Sequence, residues 1–176
     1  MRRYFVNECQ VGIGADVVRN TRTMRKRVGG LLGYGLATFS ALFRSPNVPL
    51  SVLLDGNPVP GATFLGLCIG NGSRTGGGMA LTPASRVDDG VLDCLVIHAQ
   101  SLPVRFRSFP RIYTGGHIAT PWFSCLPFRR LDVMGDGGVM VAADGEIIGR
   151  LPCSIEVVPN ALHVIIPSRS KEAVHG

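Results

Sequence analysis

Lysine is almost missing from this sequence: of 18 basic residues 16 are arginine, set against 12 acidic ones for a formal net charge of +6. Long apolar runs are missing too. The longest, Leu31 to Phe43, is 13 residues broken by Gly33, Gly35 and Ser40, where a bilayer-spanning helix needs about 20, so no transmembrane helix is predicted. Asn7, Glu8 and Gln10 stand where a secretory signal would have to be apolar, which leaves an unexported, cytoplasmic protein as the expectation. The cysteines Cys9, Cys68, Cys94, Cys125 and Cys153 are odd in number and never spaced C-x-x-C. Neither a zinc site nor a disulfide framework is signalled, and reduced thiols are expected. No helix-turn-helix, zinc-finger or RNP-like pattern accompanies the arginines, and nucleic acid is not the expected partner.

What is present describes one globular domain. The 176 residues are 45% apolar and 17% charged, far from the composition of disorder, and a chain of this length buries roughly 70% of its unfolded surface without needing a metal or disulfide. Glycine (23) and proline (12) are abundant without periodicity, which favours short strands joined by tight turns over a helical bundle. The arginines gather in Arg19/Arg22/Arg25/Lys26/Arg27, Arg105/Arg107/Arg111 and Arg129/Arg130. These are either solvated faces or a surface for an anionic partner such as the phosphate layer of a membrane.

Hydrophobic periodicity predicts a strand over Tyr4–Ile13, a basic helix over Ala15–Arg27 and a more apolar helix over Gly30–Arg44. Strands follow at Val48–Leu54 and Ala62–Gly70 around the turn Asp55-Gly56-Asn57-Pro58, then at Val91–Ala99. A helix is expected over Leu102–Gly115. Strands at Leu131–Met134, Gly138–Ala143, Glu146–Leu151, Ser154–Val158 and Leu162–Ile166 complete a spacing typical of a sandwich or barrel. The predicted class is α+β, mostly an antiparallel β-sandwich with a few helices, as one domain over 1–167 and a frayed polar tail over 168–176.

Acids collect in two places. A glycine-rich loop, Asn71-Gly72-Ser73-Arg74-Thr75-Gly76-Gly77-Gly78-Met79, runs to a turn with Asp88, Asp89 and Asp93 within six residues. Carboxylates and carbonyls at a tight turn suit a hard cation such as magnesium; equally, Asp88-Asp89-Gly90 can be an ordinary turn whose aspartates cap local N–H groups. The loop lacks the Gly-Lys-Ser/Thr ending of a P-loop, and Gly12-Ile13-Gly14 lacks the third glycine of a dinucleotide turn, with Val17 in its place. The second place, Asp144-Gly145-Glu146, reads as a hairpin turn or as a carboxylate held rigidly as a general base.

The run Asn-Gly-x-x-x-Gly-Gly-Gly-Met-x-x-x-Pro-x-Ala/Ser-x-x-x-Asp-Gly-x-Leu-Asp, from Asn71 to Asp93, resembles the signature of the diacylglycerol and sphingosine kinase superfamily, in particular its YegS-like lipid kinases. Phe5-Val6-Asn7, Gly12 to Val18, Tyr34, Gly115-Gly116-His117, Asp144-Gly145-Glu146 and Leu162 to Pro167 match that family in order. The resemblance implies a magnesium held by Asp89 with the carbonyls of Arg86 and Val91. It also implies Glu146 as the catalytic base toward a lipid hydroxyl, with Asn71, Gly76, Gly77, Gly78 and Asp144 at the substrate cleft. Family members carry an N-terminal nucleotide-binding domain with a Gly-Gly-Asp-Gly-Thr loop, and no such loop occurs in this sequence. The expectation is therefore the substrate and general-base domain of an ATP-dependent, diacylglycerol-type lipid kinase, inactive without a nucleotide domain, in peripheral contact with the inner membrane face. A lipid-binding or interaction module derived from that domain is the alternative.

Overall fold

The computed structural model describes residues 2–28 and 30–165, with the side chains of 2–24 and 33–165. The chain runs β1 (Glu8–Gly12), α1 (Ile13–Val28), α2 (Gly30–Arg44), β2 (Val48–Leu54), β3 (Asn57–Pro58), β4 (Thr63–Gly70) and β5 (Leu92–His98). It continues through α3 (Leu102–Ser108), β6 (Phe123–Phe128), β7 (Arg130–Gly135), β8 (Met140–Ala143), β9 (Glu146–Arg150) and β10 (Cys153–Glu156). All strand pairs are antiparallel. One sheet has the order β6-β5-β4-β1-β8-β9; the other, β3-β2-β7-β10, joins it where Val48 and Pro49 of β2 pair with Phe64 and Thr63 of β4. This is the expected α+β, β-rich sandwich.

Alternation along the strands divides the apolar residues between two interiors. Val11, Val52, Phe64, Leu67, Ile69, Cys94, Val96, Phe128, Leu131, Val133 and Val141 fill the space between the sheets. Leu65, Cys68, Leu95 and Phe123 face the other way, against the helices. Strand β4 is central, so everything after its first residue is buried, and it reads as a continuous apolar run rather than an alternating one. The bulge between Phe64 and Gly66 shifts the parity that puts both Phe64 and Leu67 in the sandwich core.

Two hairpins share one device. Asp55 and Gly56 connect β2 to β3, Asp144 and Gly145 connect β8 to β9, and all four residues have positive φ, from 44° to 81°. Two-residue turns of this hand match the twist of the strands, and Asp-Gly supplies them. Each aspartate also binds backbone elsewhere. Asp55 accepts the N–H groups of Arg129 and Arg130, and Asp144 accepts those of Val6, Asn7 and Glu8.

Several boundaries differ from the sequence reading. The first strand opens at Glu8 rather than Tyr4, and the N–H groups of Val6 and Asn7 just ahead of it go to the Asp144 carboxylate instead of a strand partner. The helix expected over Leu102–Gly115 ends at Ser108 and gives way to one 3-10 turn, Phe109–Ile112, since Pro110 has no N–H to continue the ladder. Strand β6 was not expected; it carries Pro127 on the sheet edge, where a missing donor is tolerated. The segment Leu162–Ile165 forms no strand, and Ile166 with the tail lies outside the described residues.

The helical layer is tied down by a buried arginine. Arg105 donates from Nη1 to the carbonyls of Leu42 (3.1 Å) and Ser45 (2.6 Å), from Nε to that of Gln100, and from Nη2 to Asn47 Oδ1. It therefore caps the C-terminal end of α2 from α3, where a cation is favoured by the exposed carbonyls.

Candidate functional site

Between the helices and the outer face of the larger sheet lies a cavity of about 1130 Å³. Its walls are mostly apolar: Ile13 and Val17 from α1, Leu42 from α2, Leu65 from β4, Ile97 from β5 and Phe123 from β6 all reach it. Glu8, Gln10, Thr21, Arg22 and Glu146 line it as well, and they form a polar rim. Register brings them together, since Cys9 of β1 pairs with Ala143 of β8, which pairs with Glu146 of β9. Arg22 Nη2 on α1 stands 3.9 Å from Glu146 Oε1, both side chains largely solvated, and such a pair is worth at most about 1 kcal/mol. Gln10 Nε2 donates to Glu8 Oε2 at 2.7 Å. Glycine at position 14 gives Gln10 its room, because a Cβ there would lie 2.9 Å from Gln10 Cβ, an atom that no change of rotamer moves.

Tyr34 joins this cavity to the glycine-rich loop. A Cβ on Gly76 would sit 2.4 Å from the Tyr34 hydroxyl, so the loop closes against α2 only with glycine there. Burial pushes the Tyr34 phenol up to about 12, and it stays a neutral hydrogen-bonding group. Cys68 on the cavity wall is fully enclosed and its thiol is pushed well up by burial; Cys125, two strands away across Leu95, rises to about 11 for the same reason. Neither is a thiolate nucleophile at neutral pH.

The residues singled out in the sequence divide by location. Glu146 and Gly76 line the cavity. Asp144 is the backbone clamp described above, its oxygens 2.7 to 3.0 Å from three N–H groups. Asn71 braces the same opening segment: its N–H donates to Asn7 O at 2.9 Å and its Nδ2 to Val6 O at 2.8 Å. Gly77 and Gly78 turn the loop with φ of 82° and 95° and have open space around them. Arg86, Asp89 and Val91 lie on a separate exposed turn. The residues that sequence reading missed are Glu8 and Gln10; it placed Arg22 in a basic cluster and not beside Glu146. Only Gly14, spaced four residues after Gln10, hinted at the packing that gathers them.

On that turn the Arg86 guanidinium holds the Asp88 carboxyl below the usual carboxylate range by hydrogen bonding at 3.2 Å, and Asp89 Oδ1 accepts the N–H of Val91 at 3.1 Å. Ser85 Oγ donates to Asp93 Oδ2 at 2.6 Å, pinning the far side. Among the described residues no three His, Cys, Asp or Glu side chains converge on one point. With Asp88 paired to Arg86 and Asp93 held by Ser85, what the turn offers is the Asp89 carboxylate and backbone carbonyls, oxygen donors of the type a hard cation takes, with water completing the shell.

The family described as YegS C-terminal NAD kinase beta sandwich-like domain matches residues 7–166. A diacylglycerol kinase of Mycobacterium tuberculosis (strain CDC 1551 / Oshkosh) is 32% identical over 155 residues, 88% of this chain and 50% of its own. A protein of Pseudomonas putida named as a YegS-like lipid kinase is 32% identical over 183 residues, 97% of this chain and 56% of its own. The chain thus spans about half the length of the curated relatives it matches. Two crystal structures of diacylglycerol kinase-type proteins from Bacillus anthracis str. Sterne superpose with TM-scores of 0.63 and 0.55 at 21% and 15% identity. Each covers 88% of this chain, and 51% and 47% of the other; at that identity the likeness carries the fold alone. On the match over residues 7–166, the chain belongs to the family of YegS C-terminal, NAD kinase β-sandwich-like domains.

Proposed function

We propose that this domain is the lipid-holding and general-base half of an ATP-dependent lipid kinase acting on a diacylglycerol-like hydroxyl. The observation that carries the reading is one cavity, apolar along its walls, with Glu146 on its polar rim. Acyl chains occupy the apolar part, where burial of each methylene contributes about 0.8 kcal/mol. The hydroxyl then lies at the rim beside Glu146. In transfer, the lipid oxygen attacks the γ-phosphorus of ATP, the bond to ADP breaks, and the hydroxyl proton passes to Glu146. Gln10 and Glu8 position the hydroxyl. ATP would be held by a nucleotide domain of the kind that family members carry, and most of the catalysis of phosphoryl transfer is positioning, so this domain by itself is inactive. Asp89 with the carbonyls of Arg86 and Val91 would hold magnesium and order the exposed turn.

The test is radiolabelled phosphate transfer to mixed diacylglycerols by the isolated chain, by a fusion behind a relative's nucleotide domain, and by that fusion with Glu146→Gln. Transfer by the fusion alone, falling roughly 10²- to 10⁴-fold on substitution, is the expected result. An active fusion indifferent to Glu146→Gln would leave a lipid-binding role for the cavity and remove the base. Robust transfer by the isolated chain would overturn the half-site reading.

A further inference from the structure

All twelve acidic residues fall outside two long stretches of the chain: between Val17 and Leu54, and between Cys94 and Leu131, there is no Asp or Glu. The fold puts α1, α2 and α3 in one layer over the larger sheet, and that layer contains a single carboxylate, Asp16. Asp16 is already used, accepting from Ser45 Oγ at 2.6 Å and pairing with Arg19 at 3.2 Å. Arg22 faces Glu146, and the side chain of Arg25 lies outside the described residues. Arg44, Arg107 and Arg111 are exposed, and no described carboxylate pairs with them.

Three aromatic rings stand together on the outer surface of this layer. Phe39, Phe43 and Phe106 form a triangle with centroid separations of 5.7, 5.4 and 5.4 Å. Phe39 is 56% exposed and Phe43 54%, with Leu36 and Leu102 also exposed. A helix packed only onto its own domain turns such residues inward. Here the inward positions of α2 are taken by Thr38 and Leu42, which line the cavity, and the phenylalanines are left outside.

We propose that the outer face of α2 and α3 is a membrane-docking surface, with Phe39, Phe43 and Phe106 entering the acyl boundary of an anionic bilayer and the exposed arginines around it, Arg44 at the end of α2, Arg107 on α3 and Arg111 in the turn that follows, meeting its phosphates. Charge complementarity selects this occupant. A symmetric pair of copies would bring unpaired arginines against their own images with no acid to offset them, whereas an anionic leaflet draws basic residues toward its surface. The inference stands without the kinase reading, since it uses neither Glu146 nor the cavity.

The test is co-sedimentation of the full chain with phosphatidylcholine vesicles and with phosphatidylserine-containing ones, free of diacylglycerol and ATP. Binding should favour the anionic vesicles and weaken between about 0.05 and 0.5 M salt as the Debye length shrinks. Phe39→Gln with Phe43→Gln should weaken it about tenfold or more, while Phe39→Leu with Phe43→Leu, equally folded by circular dichroism, should retain it. Arg44→Gln with Arg107→Gln should reduce the preference for phosphatidylserine. Equal binding to both vesicles would overturn the proposal, as would unchanged binding by the Gln pair. A dimer in sedimentation velocity that the Gln pair dissolves, with no vesicle binding, would assign the patch to a second copy instead. An inactive kinase fusion with intact vesicle binding would count against the proposed function and not against this surface.

Discussion

Asp144 and Asn7 are separated by 137 positions in the chain, yet Asp144 Oδ1 accepts the Asn7 backbone N–H at 3.0 Å. The same oxygen accepts Glu8 N–H, and Oδ2 accepts Val6 N–H at 2.7 Å. Glu146, two residues on, makes none of these contacts and faces the cavity rim instead. One turn thus carries two carboxylates with different duties: the first fixes the opening strand, and the second is free to meet a ligand.

Asp144→Asn should therefore destabilise the fold by about 1–3 kcal/mol, because hydrogen bonds to a charged acceptor contribute more than neutral ones. For a domain of this size that lowers Tm by roughly 3–10 °C. Asn tolerates the left-handed backbone at this position, so the loss reports the clamp rather than strain. Glu146→Gln, a surface change, should stay within about 0.5 kcal/mol of the parent. Thermal melts of the two variants decide it; equal shifts would deny the division of roles.

The β-rich architecture was legible because Asp-Gly turns, alternation and frequent glycine and proline all report on local backbone geometry. The motif from Asn71 to Asp93 was legible as a family signature, though not for what its members do. Asn71 braces the opening segment, Gly76 yields to Tyr34, and Ser85 holds Asp93, all contacts between residues eight or more positions apart. The cavity was not legible. Its lining comes from three helices, a 3-10 turn, five strands and three connecting segments, and most of its residues lie far apart in the sequence. Strand β6 was missed for a related reason, since pairing with β5 rather than propensity keeps Pro127 in an extended segment.

His117 is fully buried, with Nε2 donating to Leu81 O at 3.0 Å and the ring edge-on to Phe123. Burial outweighs that hydrogen bond and lowers its pKa below the ordinary 6.5. The unfolded chain thus takes up a proton near pH 6.5 that the folded chain refuses, and stability declines as pH falls through that value, by at most about 1.4 kcal/mol per pH unit. Below the folded pKa this decline stops. Urea melts between about pH 7.5 and 5 should show the decline in the parent and a flatter profile in His117→Gln, whose amide keeps a donor for Leu81; parallel profiles would remove His117 as the cause.

If magnesium binds the exposed turn, it should raise Tm, since a ligand at a hundredfold excess over Kd stabilises the native state by about 2.7 kcal/mol. Asp89→Ala should abolish that response. Asp55→Ala should lower Tm itself, because Asp55 clamps the N–H groups of Arg129 and Arg130, while leaving the magnesium increment intact. A Tm indifferent to both magnesium and EDTA, in protein first shown to be metal-free, would argue against the cation.

The cavity can be tested without any catalysis. Ile97 points from β5 into it, beside Leu65 and Phe109, on the apolar stretch of the wall. Replacing Ile97 by Trp adds bulk into empty space, so the overpacking cost of a filled core, typically about 1–3 kcal/mol, should be largely absent. The added ring would occupy volume that an acyl chain needs. A fluorescent short-chain diacylglycerol analogue should bind the parent and Ile97→Leu alike, and bind Ile97→Trp at least about tenfold more weakly, the loss of roughly two buried methylenes. Glu146→Gln should leave this binding nearly unchanged, because the tail rather than the hydroxyl supplies most of the affinity. Equal binding by Ile97→Trp and the parent, with folding verified by circular dichroism, would place the lipid elsewhere on the domain.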